Sequence, residues 1–239
     1  MRALRTFLVF GAGAILIAGA AAHEVDTAVT DEDRAYGARV LANAGYAAEN
    51  DDQDLHGSFD AQVETILAVQ DAVLKATPDG TGLPQGQPRE PKDVFIAGQG
   101  LCFDRSRAIE KILSGLGFET RHLAIYSTAE HGLLRALVTP GTASHALTEV
   151  RTLRGWMLVD SNARWIGLGP DGAVHGIEAI QARDPFRTEW AAIVPEPASW
   201  PLFSEPFTYV IGLYSRHGKF FPPYNQVPDV NYAQLLQNF

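Results

Sequence analysis

A cysteine, a histidine and an aspartate can together make and break acyl bonds. The thiol attacks a carbonyl, the imidazole moves the proton, and the carboxylate fixes the imidazole. The chain has one cysteine, Cys102, in the segment Gly98-Gln99-Gly100-Leu101-Cys102-Phe103-Asp104-Arg105-Ser106. Ala108, Ile109, Ile112, Leu113 and Leu116 follow at helical spacing, with Gly115 and Gly117 marking the end. Cys102 therefore falls at or just before a helix N-terminus, where unpaired backbone N–H groups favour thiolate over thiol. The alternative reading of the same position is a small, buried, apolar side chain.

The base and its partner come from two short apolar segments. Residues 144–150 read as a strand whose alternation sets His145, Leu147 and Glu149 on one face. Residues 156–160 read as the next strand, and Arg151-Thr152-Leu153-Arg154-Gly155 between them as a hairpin turn. A turn centred between Thr152 and Leu153 sets His145 opposite Asp160, with Cβ atoms about 4.5–5.5 Å apart. The carboxylate then accepts from one ring nitrogen and leaves the other for the thiol. An odd-length loop would break that direct pairing.

Several elements must hold these residues. Residues 59–76 carry Phe59, Val63, Ile66, Leu67, Val73 and Leu74 at helical spacing and end at Thr77-Pro78, which predicts a helix that buries one face. A weaker helix is expected over 34–48, where Gly37 and Gly45 intervene. Prolines 78, 84, 88 and 91 make an irregular connector into the cysteine segment. Residues 119–126 and 133–138 join 144–150 and 156–160 as expected strands of an antiparallel sheet. Near the C-terminus, 207–214 and 219–221 are expected to form a hairpin through Arg216-His217-Gly218. Tyr209, Tyr214, Phe220 and Tyr224 read as core packing.

The order and context resemble the transglutaminase-like superfamily, in the manner of bacterial transglutaminase-like cysteine peptidases. Four motifs carry the resemblance: Gly100 to Ser106 around the cysteine, Gly117-Phe118-Glu119-Thr120-Arg121 after its helix, Ser144-His145-Ala146-Leu147-Thr148-Glu149-Val150, and Gly155-Trp156-Met157-Leu158-Val159-Asp160. The resemblance implies an α+β fold with a papain-like core, its cysteine-bearing helix packed on an antiparallel β-sheet, and Cys102, His145 and Asp160 as a catalytic triad. Two positions depart from the family pattern. Leu147 stands where many members carry tryptophan, and Ser161-Asn162 replaces a frequent Pro-Thr. Both lie beside the site and bear on specificity.

Around the triad, the Cys102 backbone N–H is the first candidate oxyanion donor and the Gln99 side chain the second. Glu149, sharing a face with His145, is a candidate tuning residue, and Trp156 a candidate groove wall. The bland readings are a polar loop residue, a solvated edge charge and a core aromatic. Arg121 is either exposed or paired with an acid near the site. Trp165 reads as core or groove wall. His122, His131, His175 and His217 lack metal-ligand spacing and read as surface or satisfied polar residues, so no metal is expected. Phosphate-binding and dinucleotide motifs are absent and no cofactor is expected.

Composition sets the compartment and excludes some partners. The chain has 239 residues with a formal net charge of −9, which argues against nucleic acid and anionic lipid. A single cysteine allows no internal disulfide. Arg2 and Arg5 precede an apolar run over 7–22 that closes on Ala20-Ala21-Ala22, the pattern of an export signal. The run is a little short of the roughly 17–25 residues that span a membrane, so a retained anchor is the lesser alternative. The expected organisation is a signal over 1–22, an acidic helical segment over 23–58, a catalytic core over 59–168 and a Pro- and aromatic-rich extension over 169–239. The expected place is the periplasm or outside the cell, or the inner membrane if the run is retained. The expected function is amide hydrolysis of a peptide or protein substrate in the cell envelope. The alternatives are cross-linking with an amine acceptor, and a non-catalytic envelope or polysaccharide-associated binding module.

Overall fold

The computed structural model describes residues 24–46, 57–84, 87, 89–137, 139–182, 191, 201–214 and 229–239. They form an α+β structure with helices packed on a four-stranded antiparallel sheet. In chain order the helices before the sheet are α1 (Asp31–Asn43), α2 (Phe59–Ala76), α3 (Pro91–Ala97) and α4 (Cys102–Gly115). Then come β1 (Thr120–Ser127), α5 (Leu133–Ala136), β2 (Ser144–Thr152), β3 (Gly155–Asp160), α6 (Ile177–Gln181), α7 (Pro201–Ser204) and β4 (Phe207–Ile211). A two-stranded ladder of β5 (Leu213–Tyr214) and β6 (Asp229–Val230) follows, with α8 (Tyr232–Leu235) beyond it.

Local chemistry explains where the helices start. Thr30 caps α1 reciprocally: its hydroxyl accepts from the Asp33 N–H at 3.1 Å, and the Asp33 carboxylate accepts from the Thr30 N–H at 2.9 Å. Three acids in the first turn draw the helix start to Asp31, ahead of the expected 34. Helix α2 takes the expected bounds, with Ser58 accepting from the Ala61 N–H. In α4, Asp104 reaches back to the Leu101 N–H at 2.9 Å, and Gly117, at φ 91, takes the left-handed turn that leads into β1.

The sheet order is β3-β2-β1-β4. Ile66, Val69 and Val73 of α2 and Ile109 and Leu113 of α4 pack with Leu123, Ile125, Leu147, Leu158 and Ile211 of the strands. Burying a side chain of this size contributes about 1.5–3 kcal/mol. The other flank of α4 is unusual, since Asp104, Arg105, Ser106, Arg107, Glu110 and Lys111 are all buried. Distant chain segments cover them. Arg107 donates to the Asp26 carbonyl at 2.6 Å, Lys111 pairs with Asp33 at 3.0 Å, Arg89 pairs with Asp104, and the Tyr214 hydroxyl donates to Glu110 at 2.6 Å. Residues 24–33 are held to the end of the described chain: the Val25 N–H donates to Val230 O and the Asn231 amide to Val25 O, both at 2.9 Å.

Two expectations need correction. Residues 133–138 are not a strand: over Leu133–Ala136 the chain makes one helical turn closed by Gly132, because the free edge of β1 is occupied by β4. The sheet's fourth strand is therefore Phe207–Ile211. Tyr214 pairs with Asp229; the expected hairpin partner 219–221 and its turn lie outside the described residues, with the rest of 215–228. Among the expected core aromatics, Tyr214 is buried and Tyr209 packs against the core, while Phe220 and Tyr224 lie outside the described residues.

The second correction concerns register. Thr152 pairs with Gly155, so the two-residue turn is Leu153-Arg154, and Asp160 stands opposite Leu147 rather than His145. The Thr152 hydroxyl sets the turn there, donating to Gly155 O and accepting from the Arg154 N–H. Gly155, at φ 125, takes a backbone conformation that L side chains rarely adopt. The ladder has slipped by two residues, which preserves the face, so Asp160 becomes the diagonal neighbour of His145.

Candidate active site

Helix α4 is pinned to the sheet one turn beyond its start. The Ser106 hydroxyl bonds the Thr148 hydroxyl at 2.9 Å, and Thr148 donates to Ser106 O at 3.0 Å. Four helical residues rise about 6 Å, close to two strand residues at about 3.3 Å each, so Cys102 falls over Ala146. Ala146 and its cross-strand partner Ala124 are fully buried, and their small side chains admit the helix start.

Cys102 is half-buried as the first residue of the helix. Burial pushes its thiol up. The charge of His145 and a hydrogen bond from it, helped by backbone N–H groups of Ala146 and Phe103, outweigh that and bring the thiol below its ordinary value. His145 responds in the opposite sense. Burial alone would lower it, but the Cys102 charge and the Asp160 carboxylate raise it to about 9. The two shifts describe one coupled pair that favours thiolate and imidazolium together.

The ring of His145 has defined roles for its two nitrogens. Nε2 lies 3.3 Å from Asp160 Oδ1 and 3.3 Å from the Ser161 hydroxyl. Ser161 spends its own proton on Ala146 O at 2.6 Å, so it faces Nε2 with a lone pair and Nε2 must carry hydrogen. That leaves Nδ1 for the thiol. Asp160 Oδ1 also accepts from the Asn162 N–H at 2.6 Å and the Ala163 N–H at 3.3 Å, which fixes the carboxylate. Gln70, buried in α2, donates its amide to Asp160 O, Ala163 O and Trp165 O at 2.8, 3.1 and 2.7 Å.

The structure thus brings Cys102, His145 and Asp160 together, and it places the other candidates elsewhere. Gln99 exchanges hydrogen bonds with Thr81, each at 3.3 Å, which spends both ends of its amide. Glu149 is fully buried, accepting from Arg121 Nε at 2.6 Å and from the Ile177 N–H at 2.6 Å. It lies four strand residues from His145, about 13 Å along β2. Burial pushes its carboxyl up against the opposing pull of Arg121. Trp156 sits at the far end of β3 from Asp160, with Arg121 4.3 Å and Arg151 5.6 Å from its ring centre. Arg121 is therefore neither exposed nor at the site, but a buried partner of Glu149. Trp165 is core.

His122 is neither a surface residue nor a satisfied one. Its Nδ1 lies 3.2 Å from the Ser106 hydroxyl, its ring stacks on Tyr214 at 4.2 Å, and its buried Nε2 has no hydrogen-bond partner. Burial, then the charges of Arg107 and His145, push it down to about 3. The residues that sequence reasoning missed are Ser161, Asn162, Gln70 and Arg105. The one signal for them was the departure at Ser161-Asn162, which marked the place and not the role.

No family model matches the chain, and no curated protein matches it.

Proposed function

We propose that this chain is a thiol-dependent acyl-transfer enzyme of the transglutaminase-like type, with a papain-like core and a Cys102, His145, Asp160 triad. It hydrolyses amide bonds of peptide or protein substrates, and the pattern of residues 1–22 puts those substrates in the cell envelope. The observation that carries the reading is a buried imidazole held by a carboxylate on Nε2 and by a helix-start thiol on its other side. The Cys102 thiol is lowered and His145 raised.

The chemistry follows from those positions. The thiolate attacks the amide carbonyl, and the Cys102 backbone N–H, a first-turn donor that no carbonyl of its own helix can reach, faces the developing oxyanion. His145 gives its Nδ1 proton to the leaving amine, and water then releases the acyl group. Asp160 and Ser161 hold the ring throughout.

The test is the pH dependence of Cys102 alkylation by iodoacetamide, with and without His145→Ala. An ordinary thiol titrates near 8.5. The wild type should alkylate rapidly at pH 6, and the variant should need a pH above 8. Equal profiles at ordinary pH would overturn the reading in favour of a non-catalytic scaffold.

A further inference from the structure

Beside the thiol, a second group meets the working nitrogen of His145. The side-chain amide nitrogen of Asn162 lies 3.4 Å from Nδ1. An asparagine amide can turn either way, but here its orientation is set, because the buried Arg105 guanidinium donates to Asn162 Oδ1. Arg105 is itself held by the Thr77 carbonyl at 3.4 Å and by Asp79 at 3.2 Å. Asn162 is exposed, so its N–H groups stand where a second substrate arrives from solvent.

We propose that Asn162 selects the acyl acceptor, favouring water over an amine; the inference rests on the acyl-transfer reading above. In deacylation the acceptor must give a proton to Nδ1 and a lone pair to the thioester carbon. Water can do both and still accept the Asn162 N–H on its second lone pair. A neutral amine has a single lone pair, and once that pair is aimed at the carbon it offers the Asn162 N–H nothing to bond, so water gains a hydrogen bond that the amine lacks. The balanced step is attack by the water oxygen on the Cys102 thioester, transfer of its proton to His145 Nδ1, and cleavage of the carbon–sulfur bond. It yields a carboxylic acid and restores the thiolate and imidazolium. The same donor, turned into an acceptor, would welcome an amine N–H.

The experiment acylates Cys102 with p-nitrophenyl acetate and lets water compete with glycinamide, with Cys102→Ser as background. Acetate and N-acetylglycinamide are quantified by mass spectrometry. Wild type should release mainly acetate. Asn162→Ala should raise the amide-to-acetate ratio about tenfold, and Asn162→Asp, which keeps the shape and reverses the hydrogen-bonding sense, at least as much. An acyl-enzyme that forms normally with a ratio unchanged in both variants overturns this inference alone. Failure of wild-type Cys102 to acylate overturns the acyl-transfer reading and this inference with it.

Discussion

Gln70 is the residue whose replacement best separates holding the site from holding the fold. It is a fully buried polar residue of α2, and its amide nitrogen gathers three carbonyls of the turn that carries Asp160, Ser161 and Asn162. Gln70→Met keeps the volume and removes the donor. Ala163 O retains the Trp165 N–H and Trp165 O retains the Asp160 N–H, so each loses about 0.5 kcal/mol. Asp160 O loses its donor outright, at about 1–3 kcal/mol. Against this, Gln70 Oε1 is buried without a partner, and removing it returns a penalty of about 1–3 kcal/mol. The net loss should be small, about 1 kcal/mol by urea unfolding. The effect on the site should be larger, because a loosened turn lets the Asp160 carboxylate leave Nε2. NMR titration should then show His145 falling from about 9 toward its ordinary 6.5, by at least one pH unit, with Cys102 alkylation at pH 6 slowed at least tenfold. A His145 titration that stays in place while stability drops by several kcal/mol would refute the reasoning and make Gln70 a packing residue only.

Glu149→Ala should destabilise the fold by about 3–5 kcal/mol in urea unfolding, because it leaves the buried Arg121 guanidinium unpaired, yet the Cys102 alkylation profile should not move. His122 should make stability sensitive to acid. The unfolded chain binds its proton near 6.5 and the folded chain only near 3, so stability is full above 6.5 and falls as pH drops between those values, by up to about 1.4 kcal/mol per unit. Urea unfolding between pH 4 and 7 should show that slope in the wild type and a shallower one in His122→Gln.

Legibility followed the range of the physical signals. The cysteine helix, α2 and the strands around His145 and Asp160 announce themselves through periodicity and turn residues within a few positions. The convergence of Cys102, His145 and Asp160 was legible for that reason, and a slip of two residues in the hairpin did no damage because face depends on parity. Where the turn fell depended on one hydroxyl, that of Thr152, which no propensity encodes. The partner of β1 was illegible because β4 arrives from far along the chain, and an apolar run at 133–138 looked as good. The burial of the polar flank of α4 was illegible, since nothing local says that Asp26, Asp33 and Tyr214 come back to cover it. Asn162 is the sharpest case: its orientation belongs to Arg105, 57 positions away.

The clasp between Val25 and Asn231 joins residues 206 positions apart. A polypeptide delivered from its N-terminal side, whether by a ribosome or through a translocation pore, must produce nearly all of the described chain before that clasp can close. Gln234, which accepts from the His122 N–H and donates to Glu110, is supplied in the same last stretch. Contacts between such distant positions form late and slowly. The covering of the polar flank of α4 is thus completed by the last-delivered stretch of the described chain, whereas Cys102, His145 and Asp160 all lie well ahead of it.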